Sequence, residues 1–280
     1  MTISVSERDA PKNIQLLTED FGDPTSDRRL VLLHGLGSST GQFSNLFELV
    51  DHDIYLLAVT LPAHDRNVLE NSDLELSFEI FSDLVIELCD RLGIHSANFC
   101  GISMGSAIAL KVAAKRPDLC NDLIVIRPAW LTERKPKNLQ LIGIVGDLFA
   151  KHSADKVLEL LEASSENKEL ELDVPGAAQS LRSIVTRPMA ELHAPVLSAM
   201  YNDAPFRRLN ELRSIRNAVV VIGTNADPLH PVEFARQTVN ALPNARLEIL
   251  PPRYLDPEAY QAAFLRVVVE ALGIPKGELK

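Results

Sequence analysis

Six short, largely apolar runs recur along this chain, at residues 30–33, 54–59, 98–100, 123–126, 219–222 and 247–250, with amphipathic or alanine-rich stretches between them. A strand wetted on one face alternates apolar and polar side chains; a strand covered on both faces reads as a continuous apolar run, as these do. The stretches between them carry helix stop signals. The pattern over 77–92 ends at Gly93, that over 103–115 ends before Pro117, that over 232–241 ends before Pro243, and that over 257–272 ends at Gly273. Buried strands joined by helices require crossover connections. The expected fold class is therefore α/β, with a mostly parallel central sheet flanked by helices.

The alternation stops in the middle of the chain. From 131 to 208 no strand run is convincing, whereas 140–150, 154–163 and 177–185 have helical patterns, and 166–171 is a charged patch that reads as solvated surface. Prolines at 128, 136, 175, 188 and 205 punctuate this segment. It reads as an inserted helical lid (131–208) over a core formed by 1–130 and 209–280, and such insertions commonly shape a pocket at the strand ends.

Composition narrows the function. Of 280 residues, 28 are lysine or arginine and 38 are aspartate or glutamate, a net charge of −10 that argues against nucleic acid as the main partner. No stretch reaches the ~20 apolar residues that span a bilayer. Residues 1–13 are polar and carry charges of both signs, unlike a secretory leader. Three cysteines, at 89, 100 and 120, lie in or beside apolar runs without paired spacing, which fits buried thiols in a cytoplasmic protein. No ligand spacing suggests a metal, and no glycine-rich phosphate cradle follows the first apolar run. The expected partner is a small-molecule substrate, with no cofactor, nucleic acid or membrane; nothing in the sequence speaks to oligomeric state.

Three motifs fall at ends of apolar runs. Gly101-Ile102-Ser103-Met104-Gly105 follows one run and opens a helix. In that context a G-x-S-x-G pentapeptide forms a sharp turn that lifts the serine Oγ above the sheet edge and leaves no Cβ atoms where strand and helix approach. His34-Gly35-Leu36-Gly37 ends the 30–33 run, and the amides of Leu36 and Met104 are candidates to hold an oxyanion together. Gly223 to Pro231 follows the 219–222 run and contains Asp227, a carboxylate on the same sheet edge as Ser103.

In this order the motifs resemble the α/β-hydrolase fold superfamily, and the resemblance covers nearly the whole chain. It implies Ser103 as nucleophile, Asp227 as acid, and hydrolysis of a small ester or related acyl compound. It also implies a histidine after the last strand. Here that segment reads Pro251-Pro252-Arg253-Tyr254-Leu255-Asp256-Pro257, and no histidine follows His230.

Three explanations compete for the missing imidazole. His230 supplies it from the turn that holds Asp227; another pocket residue substitutes; or the protein is a non-catalytic ligand-binding relative, or a cofactor-free lyase or isomerase of the same fold. His230 is the provisional base. His34 and His64 read mainly as structural, although His34 is kept with Arg127 and Trp130 as a candidate substrate-binding group. Arg127 and Trp130 end the 123–126 run and could equally anchor the lid. His52, His95, His152 and His193 lie outside every motif and read as surface or satisfied structural residues.

Overall fold

The computed structural model describes residues 4–10, 14–49, 53–67 and 75–274; the reading of His52 lies outside these. Strands β1 (Ser4–Ala10) and β2 (Ile14–Phe21) pair antiparallel. Then come β3 (Arg29–Leu33), a 3₁₀ turn (Thr40–Phe43), α1 (Ser44–Leu49), β4 (Tyr55–Thr60), α2 (Phe78–Arg91), β5 (Ala97–Ile102), α3 (Met104–Lys115) and β6 (Cys120–Ile126). Between β6 and the next strand the chain is helical: α4 (Gln140–Phe149), α5 (Ala154–Ala163), α6 (Ser165–Asp173), α7 (Pro175–Thr186) and α8 (Ala190–Tyr201), flanked by 3₁₀ turns Lys137–Leu139 and Leu209–Ser214. It closes with β7 (Val219–Thr224), α9 (Val232–Ala241), β8 (Ala245–Leu250) and α10 (Pro257–Ala271).

The sheet has eight strands in the order β1-β2-β4-β3-β5-β6-β7-β8. From β4 through β8 every neighbouring pair is parallel, and the β1–β2 hairpin adds antiparallel to β4. This is the expected α/β class. The hairpin was not expected: polar residues dominate 1–13, and nothing marks that stretch as a strand without its partners. The patch at 166–171 is likewise helical, within α6, although much of it is solvated as expected.

Successive residues of the apolar runs feed two separate cores. On β3, Val31 and Leu33 pack into a layer with Phe78 and Phe81 of α2 and Ile108 and Val112 of α3, while Leu30 and Leu32 pack into a second layer with Leu46 of α1 and Phe264 and Val268 of α10. Burial on both faces explains why these runs lack alternation. A parallel sheet also brings the C-terminal ends of β3, β5, β6 and β7 to one edge, and every motif singled out from the sequence lies there. No helix among the described residues is long and apolar enough to cross a membrane.

Candidate active site

Ser103 alone separates β5 from α3, and its backbone sits at φ 55, ψ −110. That is a costly conformation for a residue with a side chain, and it persists because the surroundings hold it. The Ser103 amide donates to the Ile126 carbonyl (2.9 Å), and the Ser106 hydroxyl donates to the Ser103 carbonyl (2.6 Å). The flanking glycines are steric necessities. A Cβ on Gly101 would lie 2.2 Å from the Gly105 carbonyl oxygen, and one on Gly105 would lie 2.0 Å from that of Leu33. The Gly35 turn passes alongside, its Cβ position 3.5 Å from the Ser103 Cβ.

An imidazole reaches Ser103 from the loop between β7 and α9. His230 Nε2 lies 2.9 Å from Ser103 Oγ, and His230 Nδ1 lies 3.1 and 3.0 Å from Asp227 Oδ1 and Oδ2. Acid and base are three positions apart in the chain, so the loop must fold tightly. The His230 amide donates to both the Asp227 carbonyl (3.1 Å) and Asp227 Oδ1 (3.2 Å), which turns the two side chains toward each other. Outside the loop, the Asn138 side-chain amide donates to the Leu229 carbonyl (2.8 Å) and steadies the backbone beside His230. A carboxylate facing Nδ1 requires the proton there, which leaves the Nε2 lone pair for the serine hydroxyl.

All three groups are nearly dry: Ser103 is 7% exposed, Asp227 4% and His230 9%. Burial disfavours the imidazolium, and the Arg127 and Arg253 guanidiniums add to that; Asp227 opposes them, and the net effect holds His230 below its usual value. Burial alone would raise the Asp227 carboxyl. His230 and Arg127 outweigh it and hold the acid ionised, well below the usual carboxylate range. The resting site is therefore a neutral base beside a fixed negative charge.

The three candidate substrate-binding residues each make contacts within the protein. Arg127, at φ 47 and 4% exposed, donates from Nη1 to Asp227 Oδ2 (3.1 Å), and its guanidinium lies 6.0 Å from the Tyr260 ring centre. It holds the acid. Trp130 is buried, donates its indole N–H to the Met200 carbonyl of α8 (3.1 Å) and meets Phe78 edge-on, so it anchors the helical insertion. His34 is fully buried, with Nδ1 donating to the Gly35 carbonyl (2.9 Å) and Nε2 accepting from the Leu61 amide (3.0 Å); no ring nitrogen is left for a ligand. His64 is held in the same way, between the Pro62 carbonyl and the Gly37 amide. Together these two histidines set the path of the Gly35–Gly37 turn. The amides of Leu36 and Met104 make no hydrogen bond to another described residue.

After β8, where the resemblance implies an imidazole, Tyr254 packs against Gly176 of α7 and receives a hydrogen bond from Ser180 (3.3 Å), with Arg253 stacked over its ring. His95 and His152 are exposed, as expected. His193 is fully buried on α8, with the backbone of Asp65 beside its ring. The buried thiols of Cys89 and Cys120 are pushed up to about 12 by burial, which leaves them unreactive. Among the described residues no three metal-ligating side chains converge.

A doubly covered parallel sheet, a strained serine between strand and helix, and an acid and imidazole on the next-but-one strand's loop together define a hydrolase-type scaffold. The family described as alpha/beta hydrolase fold matches residues 28–254, and the chain belongs to it. Its relatives include named hydrolases. The chain is 25% identical over 244 residues to a 2-hydroxy-6-oxo-6-phenylhexa-2,4-dienoate hydrolase of Burkholderia cepacia, covering 82% of each protein. It is 30% identical over 101 residues to an (E)-2-((N-methylformamido)methylene)succinate hydrolase of Acinetobacter baylyi, a match that spans only 36% of this chain and 38% of that one. Among solved structures, the enol-lactonase of Burkholderia xenovorans LB400 superposes with a TM-score of 0.74 at 18% identity, over 96% of this chain and all of the other, a likeness of fold.

Proposed function

We propose that this protein is a serine hydrolase acting on a small ester or related acyl compound, with its base supplied by the acid's own loop. The observation that carries this reading is the continuous hydrogen-bonded path from Ser103 Oγ through His230 to Asp227. His230 Nε2 takes the serine proton as Oγ bonds to the acyl carbon. The carbonyl oxygen gains the negative charge, and the amides of Leu36 and Met104 hold it. Collapse breaks the acyl–oxygen or acyl–nitrogen bond, and Nε2–H protonates the leaving group. Water, deprotonated by the same nitrogen, then attacks the acyl-serine, releasing the acid and restoring Ser103. Asp227 stays ionised throughout and stabilises the imidazolium that forms twice in each cycle. The helical insertion acts as the lid, excluding bulk water from a site that is already nearly dry.

The test is covalent. A fluorophosphonate should add once, on Ser103, as seen by intact mass and peptide mapping. The His230→Ala variant should label far more slowly at unchanged melting temperature. Absence of an adduct on Ser103 would sink the hydrolase reading, and undiminished labelling of His230→Ala would remove His230 from the mechanism.

A further inference from the structure

The loop that carries acid and base is strained, and it is open on one side. Ala226, directly before Asp227, sits at φ 52, a left-handed conformation unfavourable for a residue with a side chain. Pro228 and Pro231 flank the base and have no N–H, so neither can tie the loop by donating. Both prolines line a cavity of about 500 Å³, together with Lys137, Asn138, Phe234 and Gln237. On that side the loop faces space rather than packed side chains.

A restraint on its backbone has to come from elsewhere. Among the described residues, one hydrogen bond from outside the loop reaches the backbone of 227–230: Asn138 Nδ2 donates to the Leu229 carbonyl at 2.8 Å. The same nitrogen donates to the Ala129 carbonyl at 3.2 Å. These two contacts fix which way the amide faces, since the flipped side chain would set its oxygen against both carbonyls. Oδ1 is left buried without a partner. An orphaned buried acceptor is unfavourable, so this side chain is placed for its donors.

Both carbonyls belong to the frame of the relay. Leu229 directly precedes His230 in the chain. Ala129 lies two residues past Arg127, whose guanidinium holds Asp227. The exit of β6 therefore holds the acid through Arg127 and the base by way of Asn138. Asn138 itself sits in the 3₁₀ turn Lys137–Leu139, ahead of the first helix of the insertion. We propose that Asn138 is a positioning residue for the base: it fixes His230 through Leu229, so that the stem of the insertion, and not β7 alone, sets the reach from Nε2 to Ser103 Oγ. The proposal rests on the hydrolase reading, since the base it positions is the one that reading assigns.

Asn138→Leu is close in size and removes both donations. Hydrogen exchange of the full chain, followed by mass spectrometry, should then quicken over 225–231 while peptides from α4 and α8 stay protected. Fluorophosphonate labelling of Ser103 should slow about ten- to a hundredfold, the range expected for a displaced catalytic group. In His230→Ala, which labels slowly already, Asn138→Leu should slow nothing further, because the side chain acts through that ring; a general loss of structure would slow both backgrounds alike. Asn138→Ala removes the same donors without added branching and decides the matter if the leucine variant does not fold. Unchanged exchange over 225–231, labelling at the rate of the unmodified protein, or equal slowing in both backgrounds would overturn the proposal. An unmodified protein that does not label removes the hydrolase reading, and with it the base to be positioned; exchange over 225–231 then still reports whether Asn138 ties the loop.

Discussion

The imidazole of His230 is fixed on three sides: by the Asp227 carboxylate at Nδ1, by its own amide bonded back to Asp227, and by Ser103 at Nε2. Removing it should be severe for turnover and mild for the fold. We expect His230→Ala to lower kcat by roughly 10⁴-fold or more, measured on any aryl ester the protein cleaves, since members of such a relay act as a unit. The acidic limb of kcat/KM reports the free base. Because burial and two guanidiniums disfavour the imidazolium, that limb should fall below pH 6.5. Arg127→Met removes one of those cations and should move the limb upward, a shift a purely structural residue would not produce. At this scale the sequence was informative where chemistry is local. Ser103 between two glycines and Asp227 after a strand stand out in the chain itself. The place of Arg127 at a strand end was visible while the direction of its side chain was not; that depends on a left-handed backbone and on Tyr260, 133 residues further along.

Among the elements, the parallel strands and their crossover helices were legible because burial on both faces writes itself into composition. Those that were not legible owe their form to neighbours. The β1–β2 hairpin exists as an addition to β4. Helix α8 carries Pro195 in its interior, which interrupts any pattern read locally, and it is held by packing on α4. The contact there is close. A Cβ on Gly143 would lie 2.3 Å from the Tyr201 ring, and one on Gly146 would lie 2.4 Å from Ser198 Oγ and 2.9 Å from the Ser198 backbone nitrogen. We expect Gly146→Val to force the two helices apart and cost about 1–3 kcal/mol, read from denaturant midpoints. The same variant should slow fluorophosphonate labelling less than His230→Ala does, because the Asp227–His230 loop is anchored on β7 rather than on α8.

For the molecule as a whole, the buried histidines set the response to acid. His34, His64, His193 and His230 are all held below the ordinary histidine value chiefly by burial, His34 at about 4. The unfolded chain protonates these rings near pH 6.5, while the folded chain resists, so stability is full above that pH and falls as pH drops toward the folded values. His34 alone accounts for ~3 kcal/mol of that loss by pH 4. Asp227 acts in the same direction at still lower pH, since its folded value is depressed. Urea midpoints should therefore decline steeply between pH 6.5 and 4, and a flat profile over that range would show that these rings are not neutral in the fold.

Placing acid and base three residues apart also makes them one inheritable module. In an arrangement where they come from different strands, each must be kept in register by the packing of separate elements, and a shift of either disconnects the relay. Here a seven-residue connection, 225–231, carries both, and the stretch after β8 packs on α7 instead, through Tyr254. Grafting that one connection, with Arg127 as its brace, onto a sister scaffold stripped of its own histidine would transfer the whole proton relay in a single step.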